Sequence, residues 1–188
     1  MPGEINQENL AESFRACVKK TLEDFCQTSF VKEPKVTTRD IIEYESRMRV
    51  FGLEKFNDTC FIAFQTLYES PLEQEKSDVC GTLLVYVQEE NAERLFKALL
   101  KEKDPEDEEI IIECVRNLCR ALFDHFKTTA TRFGYANLLG SEVENYMSNI
   151  EEGAPFPYSE DTLYQVVCTL WREKVVVAEL VLASSQRG

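Results

Sequence analysis

A chain of 188 residues that is 44% hydrophobic and 11% aromatic is long and apolar enough to bury a core as one domain, 1–188, without disulfides or metal. Its 34 acidic against 21 basic residues leave a net charge of −13, which repels phosphate backbones and anionic membrane surfaces and argues against nucleic-acid and membrane partners. The start MPGEINQENLAESF lacks a basic and an apolar leader segment, and no apolar run is long enough to span a bilayer, so the seven cysteines are expected as thiols in a reducing, cytoplasmic setting.

The segment from Asn6 to Phe25 predicts an amphipathic helix, because Leu10, Phe14, Cys17, Val18, Thr21, Leu22 and Phe25 recur every three or four residues. Arg47 to Phe51 alternates polar and apolar, as a strand with one wet face does. Thr59 to Tyr68 is a second strand, apolar on both faces, and Glu69 to Cys80 is a loop through Ser70-Pro71. Gly81 to Val87 is a third strand. A short helix is expected over Asn91 to Lys101, capped by Asn91, with Leu95, Phe96, Leu99 and Leu100 facing inward.

The run KEKDPEDEE then stops and restarts the chain. Asp104 suits an N-cap, Pro105 the first helical position, and the acids Glu106 to Glu109 the positive end of a helix dipole. That helix is expected from Pro105 to Arg132, with Gly134 as its stop. Ala136 to Asp161 reads as a long mixed connection that hides a short strand or helix around Leu138 to Met147. Leu163 to Trp171 and Val175 to Ala183 form a hairpin joined by Arg172-Glu173-Lys174, and the final SSQRG frays. This order predicts an α+β fold with a largely antiparallel sheet and long helices on one face. Strands apolar on both sides imply that the second face is also covered, and a partner subunit could supply that cover.

The long helix holds the candidate site. At about 100° per residue, its apolar side chains sweep more than half the circle and leave one stripe of Glu113, Arg116, Asn117, Arg120, Asp124 and Lys127. Glu113 and Asn117 lie about 40° apart and can act on one ligand. The plain alternative is a solvated face laced by ion pairs, Glu113 with Arg116, Arg120 with Asp124 and Asp124 with Lys127. No cysteine spacing resembles a zinc site, so no metal is expected. The single His125 falls on the apolar arc and reads as a hydrogen-bonded core residue, which leaves a cysteine nucleophile without a base.

The layout resembles the CheX branch of the CheC/CheX/FliY chemotaxis phosphatases. The features that carry it are the N-terminal helix, the strand GTLLVYV, the short helix NAERLFKALL, the acidic link DPEDEE, the long helix with its Asn, the exit KTTATRFGY and the closing strand pair, from about residue 6 to 183. The resemblance implies an α/β sandwich, a homodimer, and hydrolysis of the aspartyl phosphate on a response-regulator receiver domain. It implies no cofactor of the chain's own, since the receiver brings its Mg²⁺. In that family a Glu-x-x-Asn on the long helix does the work: the Asn orients water and the Glu engages the receiver. Here the resemblance makes Asn117 and Glu113 the catalytic candidates. The chain departs from the pattern at Cys114, which stands at the motif Glu position, and in the bulkier or charged Leu118, Cys119 and Arg120 that follow the Asn. An unbroken E-x-x-N at Glu142 to Asn145 lies beyond the helix and reads as coincidence. Two functions follow: a dimeric signalling module that binds a partner with reduced or no phosphatase activity, or an active receiver-domain phosphatase.

Overall fold

The computed structural model describes residues 7–40, 48–50, 59–100, 107–147, 153–155 and 162–182. Helix α1 (Gln7–Cys26) comes first, then strands β1 (Lys35–Asp40), β2 (Met48–Val50) and β3 (Cys60–Tyr68). A short α2 (Pro71–Glu75), strand β4 (Val79–Gln88) and helix α3 (Glu89–Leu95) follow. Helix α4 (Glu108–Ala130) continues into a 3₁₀ turn (Thr131–Phe133), and the chain closes with β5 (Leu139–Gly140), β6 (Glu144–Met147), β7 (Gly153–Pro155), β8 (Thr162–Leu170) and β9 (Glu173–Leu182).

Among the described residues, seven strands make one antiparallel sheet in the order β1-β8-β9-β4-β3, with β5 and β6 both pairing the far side of β3. Strands β2 and β7 pair as a separate antiparallel ribbon. The expected α+β architecture is the observed one. Alternation along each strand divides its side chains between two faces. Phe61, Ala63, Leu83, Val85, Val176 and Ala178 face the helices and join the buried residues of α1, α3 and α4 in the main core. Ile62, Phe64, Leu84, Tyr86, Val177 and Val181 face the other way as a second cluster, none more than 2% exposed. These second-face side chains are therefore buried within the single chain, without the cover that a partner subunit could have supplied. One acid lies on that second face. Glu179 is 0% exposed and accepts a hydrogen bond from Gln165 Nε2 at 2.9 Å, directly across the β8–β9 pair. A buried carboxylate needs such a donor, because desolvation without one is costly.

The elements depart from the sequence reading where side-chain pattern is a poor guide. Strand β1 was not foreseen: KVTTRD carries little apolar signal, and it is a strand because its edge pairs with β8. The expected loop at 69–80 contains α2, with Ser70 as N-cap and Pro71 in the first turn. Helix α3 starts at Glu89, so Asn91 is inside it and is not its cap; its Nδ2 donates instead to Gln88 and Glu173. Leu99 is exposed rather than inward-facing, while Leu95, Phe96 and Leu100 are buried as expected. The closing hairpin turns on two residues, Trp171 and Arg172, at φ 52° and 65°, not on Arg172-Glu173-Lys174. The Arg94 guanidinium stacks 3.9 Å over the Trp171 ring and ties α3 to that turn. Asp104 and Pro105, expected to start the long helix, lie outside the described residues, as do the ends of the strand expected over 47–51.

No disulfide joins the seven cysteines; six are buried and Cys114 is half-buried. Burial pushes the Cys26 and Cys119 thiols up to about 12 and raises Cys17 and Cys168 as well. Thiolate is the reactive form, so these thiols are inert while the fold is intact. A disulfide-exchange reagent at about pH 8 is expected to titrate one fast thiol in the native protein, a signal absent from Cys114→Ser, and the remaining thiols only after unfolding.

Candidate functional site

Helix α4 is built from both ends. Asp107 is its N-cap and accepts from the Glu109 N–H at 3.0 Å, while Glu108 and Glu109 stand at the positive end of the dipole. At the other end Gly134 takes φ 93°, and the Tyr135 N–H donates back to the Ala130 carbonyl at 3.1 Å. Gly134 is therefore the stop expected of it. Ile111, Val115, Leu118, Cys119, Leu122, Phe123, Phe126 and Ala130 are buried, which leaves the polar stripe outward. Helix α1 packs along one side of α4. Thr21 Oγ1 gives its proton to the Cys17 carbonyl at 2.7 Å and lies 2.7 Å from His125 Nδ1. The hydroxyl oxygen is then the acceptor, and His125 carries its proton on Nδ1. His125 is a hydrogen-bonded residue of the helix contact, half-buried rather than sealed in the core.

Glu113 and Asn117 are brought together on the stripe. Arg120 lies between them: its Nη1 donates to Asn117 Oδ1 at 2.8 Å and stands 3.7 Å from Glu113 Oε1. The other carboxylate oxygen of Glu113 is 3.4 Å from Arg116 Nη1. Of the ion pairs weighed from spacing, Glu113 with Arg116 is present, while Arg120 turns back along the helix instead of forward to Asp124. Cys114 is half-buried and packs against the main core, off the stripe. Its thiol cannot stand in for a carboxylate.

The network has one member from outside α4. Arg116 Nε donates to Asn145 Oδ1 on β6 at 2.8 Å. Asn145 belongs to the E-x-x-N set aside as coincidence. It is on a strand, so that stretch is no helical motif, yet the fold carries its Asn to the stripe. The contact spans 29 residues, and only the signal of a short strand or helix around 138–147 hinted at it. Among the described residues no three His, Cys, Asp or Glu side chains come together to hold a metal ion. No helix among them is long and apolar enough to cross a membrane.

No protein-family model and no curated protein sequence matches the chain. Solved structures do. A chemotaxis protein CheX from Desulfovibrio desulfuricans superposes with a TM-score of 0.61 at 10% identity, over 93% of this chain and 99% of that one. A CheC-like superfamily protein from Shewanella sp. PV-4 gives 0.59 at 11%, over 92% and 96%. A chain of the CheX–CheY–BeF₃–Mg²⁺ complex from Borrelia burgdorferi gives 0.54 at 14%, over 92% and 96%.

The fold is CheX-like.

At such identities the likeness is one of backbone. In this CheX-like frame the polar stripe of α4 runs between α1, met through His125 and Thr129, and β6, met through Arg116. What differs from a bare acid–amide pair is chemical: two guanidiniums already contact the acid, and one of them holds the amide oxygen.

Proposed function

We propose that this chain is a receiver-binding signalling module of a two-component or chemotaxis-type pathway, with reduced or no phosphatase activity. One observation carries the reading. Asn117 Oδ1 accepts from Arg120 at 2.8 Å, so the amide oxygen is already engaged, while Glu113 faces Arg116 and Arg120 only loosely, at 3.4 and 3.7 Å. Hydrolysis of an acyl phosphate asks the protein for little beyond an in-line water, so engaging the amide oxygen takes away one of the groups on the helix that could hold it. Any Mg²⁺ belongs to the receiver. The fold supports the partner class, since a chain of a CheX–CheY complex shares it. The homodimer implied by the resemblance belongs to the same proposal. It would form away from the sheet's second face, which the chain already covers.

A second reading, active hydrolysis, is favoured by the adjacency of Glu113 and Asn117 on an unbroken helix. One assay separates the two. Against a panel of phosphorylated receiver domains, the module reading expects binding with less than about tenfold faster phosphate loss, about 1.4 kcal/mol of barrier. Faster loss that Asn117→Ala abolishes would instead establish the enzyme.

A further inference from the structure

The polar network holds two cations against one acid. Arg116, Arg120 and Glu113 give it one net positive charge on a chain whose total is −13. Both guanidiniums are fixed by amide oxygens, Arg116 by Asn145 and Arg120 by Asn117, each at 2.8 Å. Their side chains remain 36% and 48% exposed, and among the described residues each keeps N–H donors to spend. Glu144, next to Asn145 on β6, alternates to the opposite side of the strand and adds no acid here.

Glu113 shows what fits between the two arginines. One of its carboxylate oxygens faces Arg116 and the other faces Arg120, so a single oxyanion of that size reaches both guanidiniums at once. The contacts are long, 3.4 and 3.7 Å, and Glu113 is 52% exposed. Charge-assisted N–H···O bonds close to about 2.7–2.9 Å when they are tight. Glu113 is thus a loose internal counter-ion, and a more highly charged oxyanion with good geometry displaces it.

We infer that Arg116 and Arg120 form a two-pronged site for a phosphoryl group on a docking protein, with Glu113 as the displaceable counter-ion and Asn117 and Asn145 as the residues that hold the prongs. The phosphoryl source, a receiver acyl phosphate, rests on the function proposed above; the oxyanion site rests on the network alone. Arginine suits the task because its planar fork meets phosphoryl oxygens two at a time, which an ammonium does not do. Such a site reads whether a partner is phosphorylated without having to hydrolyse it.

Two measurements on the full chain test this. In the first, receiver domains with and without their phosphoryl group are titrated against wild type, R116Q/R120Q, R116K/R120K and E113Q. The wild type is expected to prefer the phosphorylated form by at least about tenfold. R116Q/R120Q brings that ratio to about one, R116K/R120K retains only part of it, and E113Q raises it. A double variant that keeps the wild-type ratio with unchanged circular dichroism overturns the inference. In the second, inorganic phosphate is titrated while the arginine Nε–H signals are followed by NMR. Saturable shifts of Arg116 and Arg120, lost in R116Q/R120Q, support the site, and their absence in wild type overturns it. If no receiver binds in either state the proposed function fails, and the phosphate titration still decides the site.

Discussion

Phe126→Ala is expected to lower stability by about 3–5 kcal/mol, the range for removing a buried aromatic ring from a core. Phe126 is 0% exposed in the α1–α4 contact and meets Phe14, also 0% exposed, edge-to-face with centroids 5.9 Å apart and planes at 81°. Neither helix can close the resulting void alone. The Thr21–His125 and Cys17–Thr129 contacts of the same two helices hold their spacing. For a chain of this size each kcal/mol corresponds to about 2–4 °C, so the melting temperature should fall by roughly 6–20 °C. The ring pair itself is worth a smaller part. A double-mutant cycle with Phe14→Leu is expected to return a coupling of about 0.5–1.5 kcal/mol. Thermal unfolding of the four proteins checks both figures, and a drop of less than about 1 kcal/mol for Phe126→Ala would mean that the two helices do not pack through these rings.

Much of this arrangement is legible in the sequence. Phe14 and Phe126 each sat on an apolar arc spaced for a helix, and the stripe of α4 emerged from the same wheel that buried Phe126. The apolar runs at 59–68, 81–87, 163–171 and 175–183 became the central strands. What stayed hidden had weak local signals. Strand β1 contributes Lys35, Thr37 and Thr38 as exposed residues, so only its partner β8 makes it a strand. The hairpin turn was misplaced because Trp171 and Arg172 hold a left-handed conformation usually taken by Asn and Gly, and no composition cue marks it. Doubly apolar strands suggested a missing subunit, yet the same pattern arises when a chain covers both faces of its sheet itself.

The site was half legible for the same reason. Periodicity placed Glu113, Arg116, Asn117 and Arg120 on one stripe but did not say which way Arg120 would lean. Forward, it would have paired Asp124 and left Asn117 open. It leans back, to Asn117 and Glu113. Asn145 was out of reach of any local rule, because a strand pairing with β3 brings it to α4.

Gly81→Val should be as damaging as the loss of Phe126, for the opposite reason. A Cβ at Gly81 would stand 2.2 Å from the Val181 carbonyl oxygen and 3.3 Å from Leu182 Cα, and the nearest of these is backbone that cannot step aside. The residue sits where the β3–β4 register slips between Leu67 and Tyr68, on the strand that joins β3 to β9. Making room means parting β4 from β9 at the end of the sheet, with Leu83, Leu180 and Leu182 of the main core drawn along. Overpacking of this kind costs about 3 kcal/mol, the upper end of its usual range, where backbone must move. Gly140→Ala is the control. Its Cβ would meet the tip of the Gln65 side chain, Nε2 at 2.7 Å, which can swing at the expense of its 2.8 Å bond to the Ser141 carbonyl. Losing that one hydrogen bond costs about 1 kcal/mol. Urea unfolding should therefore rank the variants with Gly81→Val well below Gly140→Ala, at unchanged m-value. The reverse order would mean that β4 and β9 do not approach as closely as the register requires.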